Sequence, residues 1–270
     1  MYNLETLQIS STFPCLVVYL LDQSGSMEEM FGTERRTKAQ KVAEAINEVI
    51  FETGLKCFDS SGNIKNRFEL SVIGYGNNSR NTSEAAWEGN LKGHWVVSIA
   101  DVFQNPIGEF NGIPVWISPK SGYMTPMNNA FENAYRVCEA WINWGNHKEC
   151  HPPIVINITD GEATDGGYSN STLKETVQRL KNLRTHYGSV NVFNIHISTR
   201  KSDSVLFPSQ LNTGAENAKL LFELSTELNP QMVALANRMG YEVQQGAKGY
   251  IFNGSAKNLM DFLNIGSNPL

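Results

Sequence analysis

Residues 15–21, CLVVYLL, form an unbroken apolar run of strand length that ends on Asp22. Successive side chains of a strand point to opposite faces, so a strand with no polar residue must be covered on both. Such a strand sits at the centre of a parallel sheet wrapped by helices, and the rest of the chain supplies the wrapping. A helix is expected over residues 37–53, where Ala39, Val42, Ala43, Ile46, Val49 and Ile50 share one face and Lys41, Glu44 and Glu48 the other. Gly54 is its natural stop. Residues 67–75 (RFELSVIGY) read as a second strand, closed by Gly76-Asn77-Asn78.

Further along, Met127, Ala130, Phe131, Ala134, Val137, Cys138 and Trp141 recur at helical spacing to about residue 144. Strands follow at 152–159 (PPIVINIT) and 190–198 (VNVFNIHIS), with an amphipathic helix over 171–187 between them. Residues 230–239 read as a helix, 249–253 as a short strand, and 255–265 as a closing helix capped by Ser255. Two stretches break the rhythm. Residues 77–122 scatter Trp87, Trp95 and Trp116 among three prolines and short β-like runs, and 201–230 end in an ambiguous LLFELSTEL.

This alternation predicts an α/β fold: a doubly wound, mostly parallel central sheet flanked by helices, with one antiparallel edge strand. A single domain over 1–270 is expected, with its core at about 13–265 and insertions near 77–122 and 201–230. With 41% hydrophobic residues the chain can bury a sizeable core. A net charge of −5 offers no basic field for nucleic acid or an anionic membrane. No apolar run approaches the ~18 residues of a membrane span. The segment MYNLETLQISSTFPC has neither a positive nor an apolar region of a signal peptide, so a cytoplasmic location with four reduced cysteines is expected.

In doubly wound sheets, ligands bind outside the carboxyl ends of the strands. Asp22 ends the first strand and Asp160 ends the strand PPIVINIT, while Thr125 stands just before Pro126 and the Met127 helix. Behind Asp22, the stretch DQSGSM spaces Ser24 and Ser26 around Gly25. Asp22, Ser24, Ser26, Thr125 and Asp160 thus offer two carboxylates and three hydroxyls to one rim. Mg²⁺ takes about six oxygen ligands and keeps several waters, which such a set suits. Taken singly, each piece has a plainer reading: a turn at Asp22 and Asp160, and a helix cap at Thr125 followed by Pro at N1.

Together the five positions resemble the von Willebrand factor A (vWA) family and its metal-ion-dependent adhesion site. The family's Asp-x-Ser-x-Ser corresponds to Asp22-Gln23-Ser24-Gly25-Ser26, its threonine to Thr125-Pro126, and its later aspartate to Asp160-Gly161. Met124 departs from the pattern by standing where a glycine commonly precedes the threonine. The resemblance implies Mg²⁺, or Mn²⁺ or Ca²⁺, held by these five residues, and a protein partner whose acidic residue completes the coordination sphere. It implies binding rather than turnover, in an adaptor similar to freestanding bacterial vWA proteins of stress or defence signalling beside a kinase, phosphatase or AAA+ ATPase. It also implies that the helix around 258–265 shifts with occupancy.

Rival readings rest on other residues. A metal-dependent hydrolase needs a base, yet none of His94, His147, His151, His186 and His196 lies within a few positions of the five. A scaffold with a vestigial site would bind through its insertions. Cys138, His147, Cys150 and His151 invite a zinc site, against a polar helix end leading into the next strand. His196 reads as a core histidine, and Gly74-Tyr75-Gly76 lacks the features of a phosphate loop. Glu162 and Asp165, in DGEATD, read as a solvated loop or as groups that tune the ion.

Overall fold

The central strand β1 (Cys15–Asp22) is buried at every position and is hydrogen-bonded on both sides. It belongs to a computed structural model that describes residues 9–31, 35–197, 204–254 and positions 257, 258, 261, 262 and 265. After β1 come helix α1 (Lys38–Leu55), strands β2 (Phe68–Tyr75), β3 (Ser83–Ala85) and β4 (Val97–Ser98), and helix α2 (Ile99–Gln104). A hairpin of β5 (Gly108–Phe110) and β6 (Ile113–Val115) precedes helix α3 (Met127–Asn143) and strand β7 (Ile154–Thr159). Helix α4 (Ser171–Asn182) leads to a small hairpin, β8 (Arg184–Thr185) with β9 (Gly188–Ser189), and then to β10 (Asn191–His196). The remaining elements are β11 (Val205–Leu206), α5 (Glu216–Leu224), α6 (Pro230–Arg238) and β12 (Tyr250–Phe252).

The main sheet runs β11-β12-β10-β7-β1-β2-β3, with β4 also on β2. Strands β12, β10, β7, β1 and β2 are parallel. Antiparallel strands close both edges, β3 and β4 against β2 and β11 against β12, where one such edge strand was expected. The order reverses between β1 and β7, so Asp22 and Asp160 leave the sheet at its switch point. Val17, Tyr19 and Leu21 pack towards α1, α2 and α6, while Leu16, Val18 and Leu20 pack towards α3, α4 and α5. Both faces of β1 are therefore covered, which accounts for its unbroken apolar run.

Local chemistry explains where elements differ from the sequence reading. Helix α1 opens with a reciprocal cap between Thr37 and Gln40 and continues through Gly54 to Leu55. Gly54 does not stop it; a Cβ there would lie 1.8 Å from the Phe103 ring, so the glycine admits that ring against the helix. Helix α2 was not expected. Its signal is Ser98, whose hydroxyl accepts from Asp101 N at 3.2 Å. Helix α4 stops at Asn182 because Leu183 turns extended and leads into β8 of the next hairpin. Of the ambiguous LLFELSTEL, residues 220–224 are helical in α5, with Leu220, Leu221 and Leu224 inward, and the chain leaves the helix at Ser225. Ser255, the expected cap of the closing helix, lies outside the described residues; Lys257, Asn258, Asp261, Phe262 and Ile265 are helical.

The irregular stretch is fastened to α1 by one buried amide. Asn47 Oδ1 accepts from Trp116 N at 2.8 Å and Ile117 N at 3.1 Å, and its Nδ2 donates to Ile117 O at 2.9 Å. Trp87 and Trp116 are core residues, whereas Trp95 is 40% exposed. Beneath the switch point, Tyr75 Oη donates to Asn157 Oδ1 at 2.8 Å. Asn157 Nδ2 donates to Asn194 Oδ1 at 3.0 Å, and Asn194 Nδ2 donates to Ser225 Oγ at 2.9 Å. These fully buried amides are satisfied by one another, which fixes the register of β2, β7 and β10 below the rim.

Candidate metal centre

DQSGSM leaves β1 as a tight bend. Gln23 N donates to Tyr75 O at 2.8 Å, and residues Gly25–Glu28 form a 3₁₀ turn. Asp22 Oδ1 accepts from Ser24 N at 2.9 Å and Oδ2 from the Thr159 hydroxyl at 2.6 Å. The Ser24 and Ser26 hydroxyls stand 3.2 Å apart. Ser26 Oγ donates to Asp160 Oδ1 at 2.7 Å, joining the ends of β1 and β7. Burial pushes the Asp22 carboxyl up to about 6; hydrogen bonds from Ser24 and Thr159 oppose this and the Asp160 charge adds to it.

The second contributing segment is the loop before α3. Gly25 N donates to Tyr123 O at 2.8 Å, and a Cβ on Gly25 would lie 3.2 Å from Gly122 O. Close approach of this backbone is thus what Gly25 provides. Thr125 does not cap α3. Pro126 is the N-cap and makes no side-chain cap bond. The Asp165 carboxylate instead takes Asn128 N and Asn129 N at 2.8 Å each. The Thr125 hydroxyl faces Gly161, 3.7 Å from where a Cβ would stand, with Asp22 Oδ2 at 3.8 Å and Ser26 Oγ at 3.9 Å from the same point. Thr125 and Thr164 also exchange backbone and hydroxyl bonds, Thr164 N to Thr125 O at 2.9 Å and Thr125 N to Thr164 Oγ1 at 3.1 Å.

Asp165 therefore ties the loop carrying Asp160 to the helix preceded by Thr125, and the DGEATD stretch is not simply solvated. Replacing Asp165 with alanine should cost about 1–2 kcal/mol, as loss of a strong helix cap does. Chemical denaturation would show it, and an unchanged midpoint would mean that water replaces the carboxylate.

Sequence reasoning missed the part that four residues play. Thr159 orients Asp22, Asp165 caps α3, and Gly76 lies against the Met124 carbonyl and Ser24 N. The fourth is Lys38, whose ammonium pairs with Asp160 and, at 2.7 Å, with Glu29. A cation at the first position of a helix opposes the helix dipole, and that was the available signal.

All five expected residues meet at one rim. Asp22, Ser24 and Thr125 are buried, and the Asp160 carboxylate is 1% exposed. The set fits a small hard cation, since every donor is oxygen. Among the described residues, no three His, Cys, Asp or Glu side chains cluster as a metal site. The five include only two carboxylates, the other donors being hydroxyls.

The zinc candidates go to different partners. His147 stacks on Trp141 with ring centres 4.1 Å apart, and His151 Nδ1 bonds Pro152 O at 3.0 Å. Burial pushes the His151 imidazole down to about 4. His196 is a core residue, 3.2 Å from the Tyr250 hydroxyl, and burial brings it down to about 4. The four cysteines are buried free thiols.

No protein-family model and no curated protein matches the chain. Among solved structures, it is similar to the PilB minor pilin of Streptococcus sanguinis at 10% identity and a TM-score of 0.45, over 95% of this chain and 61% of that one. It is similar to the pilus adhesin SpaC of Lactobacillus rhamnosus GG at 12% identity and a TM-score of 0.47, over 97% and 30%. The human COPII-coat protein Sec24c matches at 11% identity and a TM-score of 0.33, over 68% and 26%. The chain thus spans less than two thirds of either pilus protein. Among the described residues, no helix is long and apolar enough to cross a membrane.

Proposed function

We propose that the chain is a divalent-metal-dependent protein-interaction module of the vWA type. Asp22, Ser24, Ser26, Thr125 and Asp160 would hold Mg²⁺, with Mn²⁺ or Ca²⁺ as substitutes. One observation carries this reading: oxygens of Asp22, Ser26 and Thr125 lie within 3.9 Å of one point beside Gly161 and Ser26 bonds Asp160, so three segments distant in sequence meet at the switch point of the sheet. A bound cation with only two carboxylates would act as a Lewis acid toward an acidic side chain of a partner. Tyr123 and Met124, 58% and 54% exposed and adjoining Thr125, offer apolar contact to residues flanking that acid. Free buried thiols agree with a reducing cytoplasm. The adaptor role beside a kinase, phosphatase or AAA+ ATPase follows from the resemblance of the motif alone.

Titration calorimetry with MgCl₂ tests the centre, and affinity capture in Mg²⁺ or EDTA tests the module. A single Mg²⁺ site, with a partner retained in Mg²⁺ and lost in EDTA, is expected. No heat of binding at millimolar Mg²⁺, or capture indifferent to EDTA, would sink the reading.

A further inference from the structure

Lys38 is the first residue of α1, yet its side chain is only 5% exposed. Its ammonium donates to Asp160 Oδ2 and, at 2.7 Å, to Glu29 Oε2. The two acceptors differ sharply: the Asp160 side chain is 1% exposed and that of Glu29 61%. A lysine placed against the helix dipole and out of water needs such carboxylates to hold it. One of them is a residue of the candidate metal centre.

We propose that Lys38 is an internal cation competing with the divalent ion for Asp160, so that metal binding shifts the ammonium from Asp160 to Glu29; this rests on the metal reading above. Two cations on one buried carboxylate repel strongly where water is scarce. The lysine stem has four rotatable carbons, so the ammonium can move while the backbone stays. The backbone is fastened for this, since Lys38 N donates to Glu29 O at 2.9 Å and Glu29 N to Ser26 O at 3.1 Å. Glu29 thus keeps a countercharge within reach after Asp160 turns to the metal. The competition lowers metal affinity below what the five oxygens alone would give. It also couples occupancy to the start of α1 and to the turn that carries Ser24 and Ser26.

Calorimetric titration of Mg²⁺ into wild type, Lys38→Met and Glu29→Gln decides the point, with thermal melts in Mg²⁺ and in EDTA. Removing the competitor should tighten Mg²⁺ about tenfold. Removing the alternative acceptor should weaken it about threefold or more, because the displaced ammonium then lies unpaired near the ion. Any loss of melting temperature in Lys38→Met should be confined to EDTA, whereas a purely structural lysine would lose equally in both buffers. Unchanged or weaker binding by Lys38→Met overturns the competition, as does unchanged or tighter binding by Glu29→Gln. Should Lys38→Met not fold, Glu29→Gln, altered at an exposed side chain, decides alone. Absence of Mg²⁺ binding by the wild type overturns the metal reading and the competition with it.

Discussion

Asp22→Asn is expected to raise the melting temperature of the metal-free protein at pH 7 and to abolish its response to Mg²⁺. The Asp22 carboxyl is raised from 3.8 to about 6, chiefly by burial. A raised carboxyl binds its proton more tightly folded than unfolded. Its stability contribution is therefore greatest below about pH 4 and is lost as pH rises through 6. At pH 7 the ionised group costs on the order of 3 kcal/mol, at 1.36 kcal/mol per pKa unit. Asparagine keeps an oxygen for Ser24 N and carries no charge, so this cost disappears. For a chain of this size the melting temperature should rise by about 5 °C or more.

Mg²⁺ closes most of this gap. At a hundredfold excess over its Kd the ion adds about 2.7 kcal/mol to the wild type by linkage. Asparagine, without the negative charge, should gain almost nothing. Melts from pH 4 to 8, with Mg²⁺ or EDTA, would show the wild type falling behind the variant above pH 6 in EDTA and recovering in Mg²⁺. A variant less stable than the wild type at pH 7 in EDTA would make Asp22 a structural acceptor rather than a group held for its charge. A buried carboxylate that destabilises the fold on its own is more readily explained by a function than by packing.

What the sequence disclosed follows from how each residue acts. The parallel strands and α1, α3 and α6 were legible because their burial repeats along the chain at the period of the element. Asp22, Ser24, Ser26, Thr125 and Asp160 were legible because strand ends and one short motif place them. Strands β3 to β6, of two or three residues, are too short to show a period, so the stretch between β2 and α3 was read as irregular. Thr125 carried two readings in sequence, and only the position of Asp165 over α3 separates them. Thr159 and Asp165 act through partners on other segments, from 36 to 137 residues away, and no local pattern announces such contacts; Lys38 shows itself locally only by its place at the helix start, not by its pairing with Asp160.

Gly76 presents the same difficulty and carries the larger structural consequence. It was read as the close of a strand, but it stands at φ +94°, pressed against two backbones that build the candidate metal centre. A Cβ there would lie 2.4 Å from Met124 O, 2.9 Å from Ser24 N and 3.0 Å from Ser24 Cα. Tyr123 N also donates to Gly76 O at 2.6 Å, so the loop before α3 cannot withdraw without losing that bond. Gly76→Ala should therefore cost about 3–5 kcal/mol, left-handed strain plus displaced backbone, and lower the melting temperature by about 10 °C. The backbones that must move carry Ser24 and lead into Thr125, so Mg²⁺ affinity should fall about tenfold or more in the protein that still folds. Gly62→Ala is the matched control: its φ is +79°, yet nothing lies within 4 Å of a Cβ there. It should show only the strain of the left-handed region, about 1–2 kcal/mol, and leave Mg²⁺ binding untouched. Equal costs for the two substitutions would mean that the crowding at Gly76 relaxes freely, and that this glycine does not set the distance between the serine turn and the Thr125 loop.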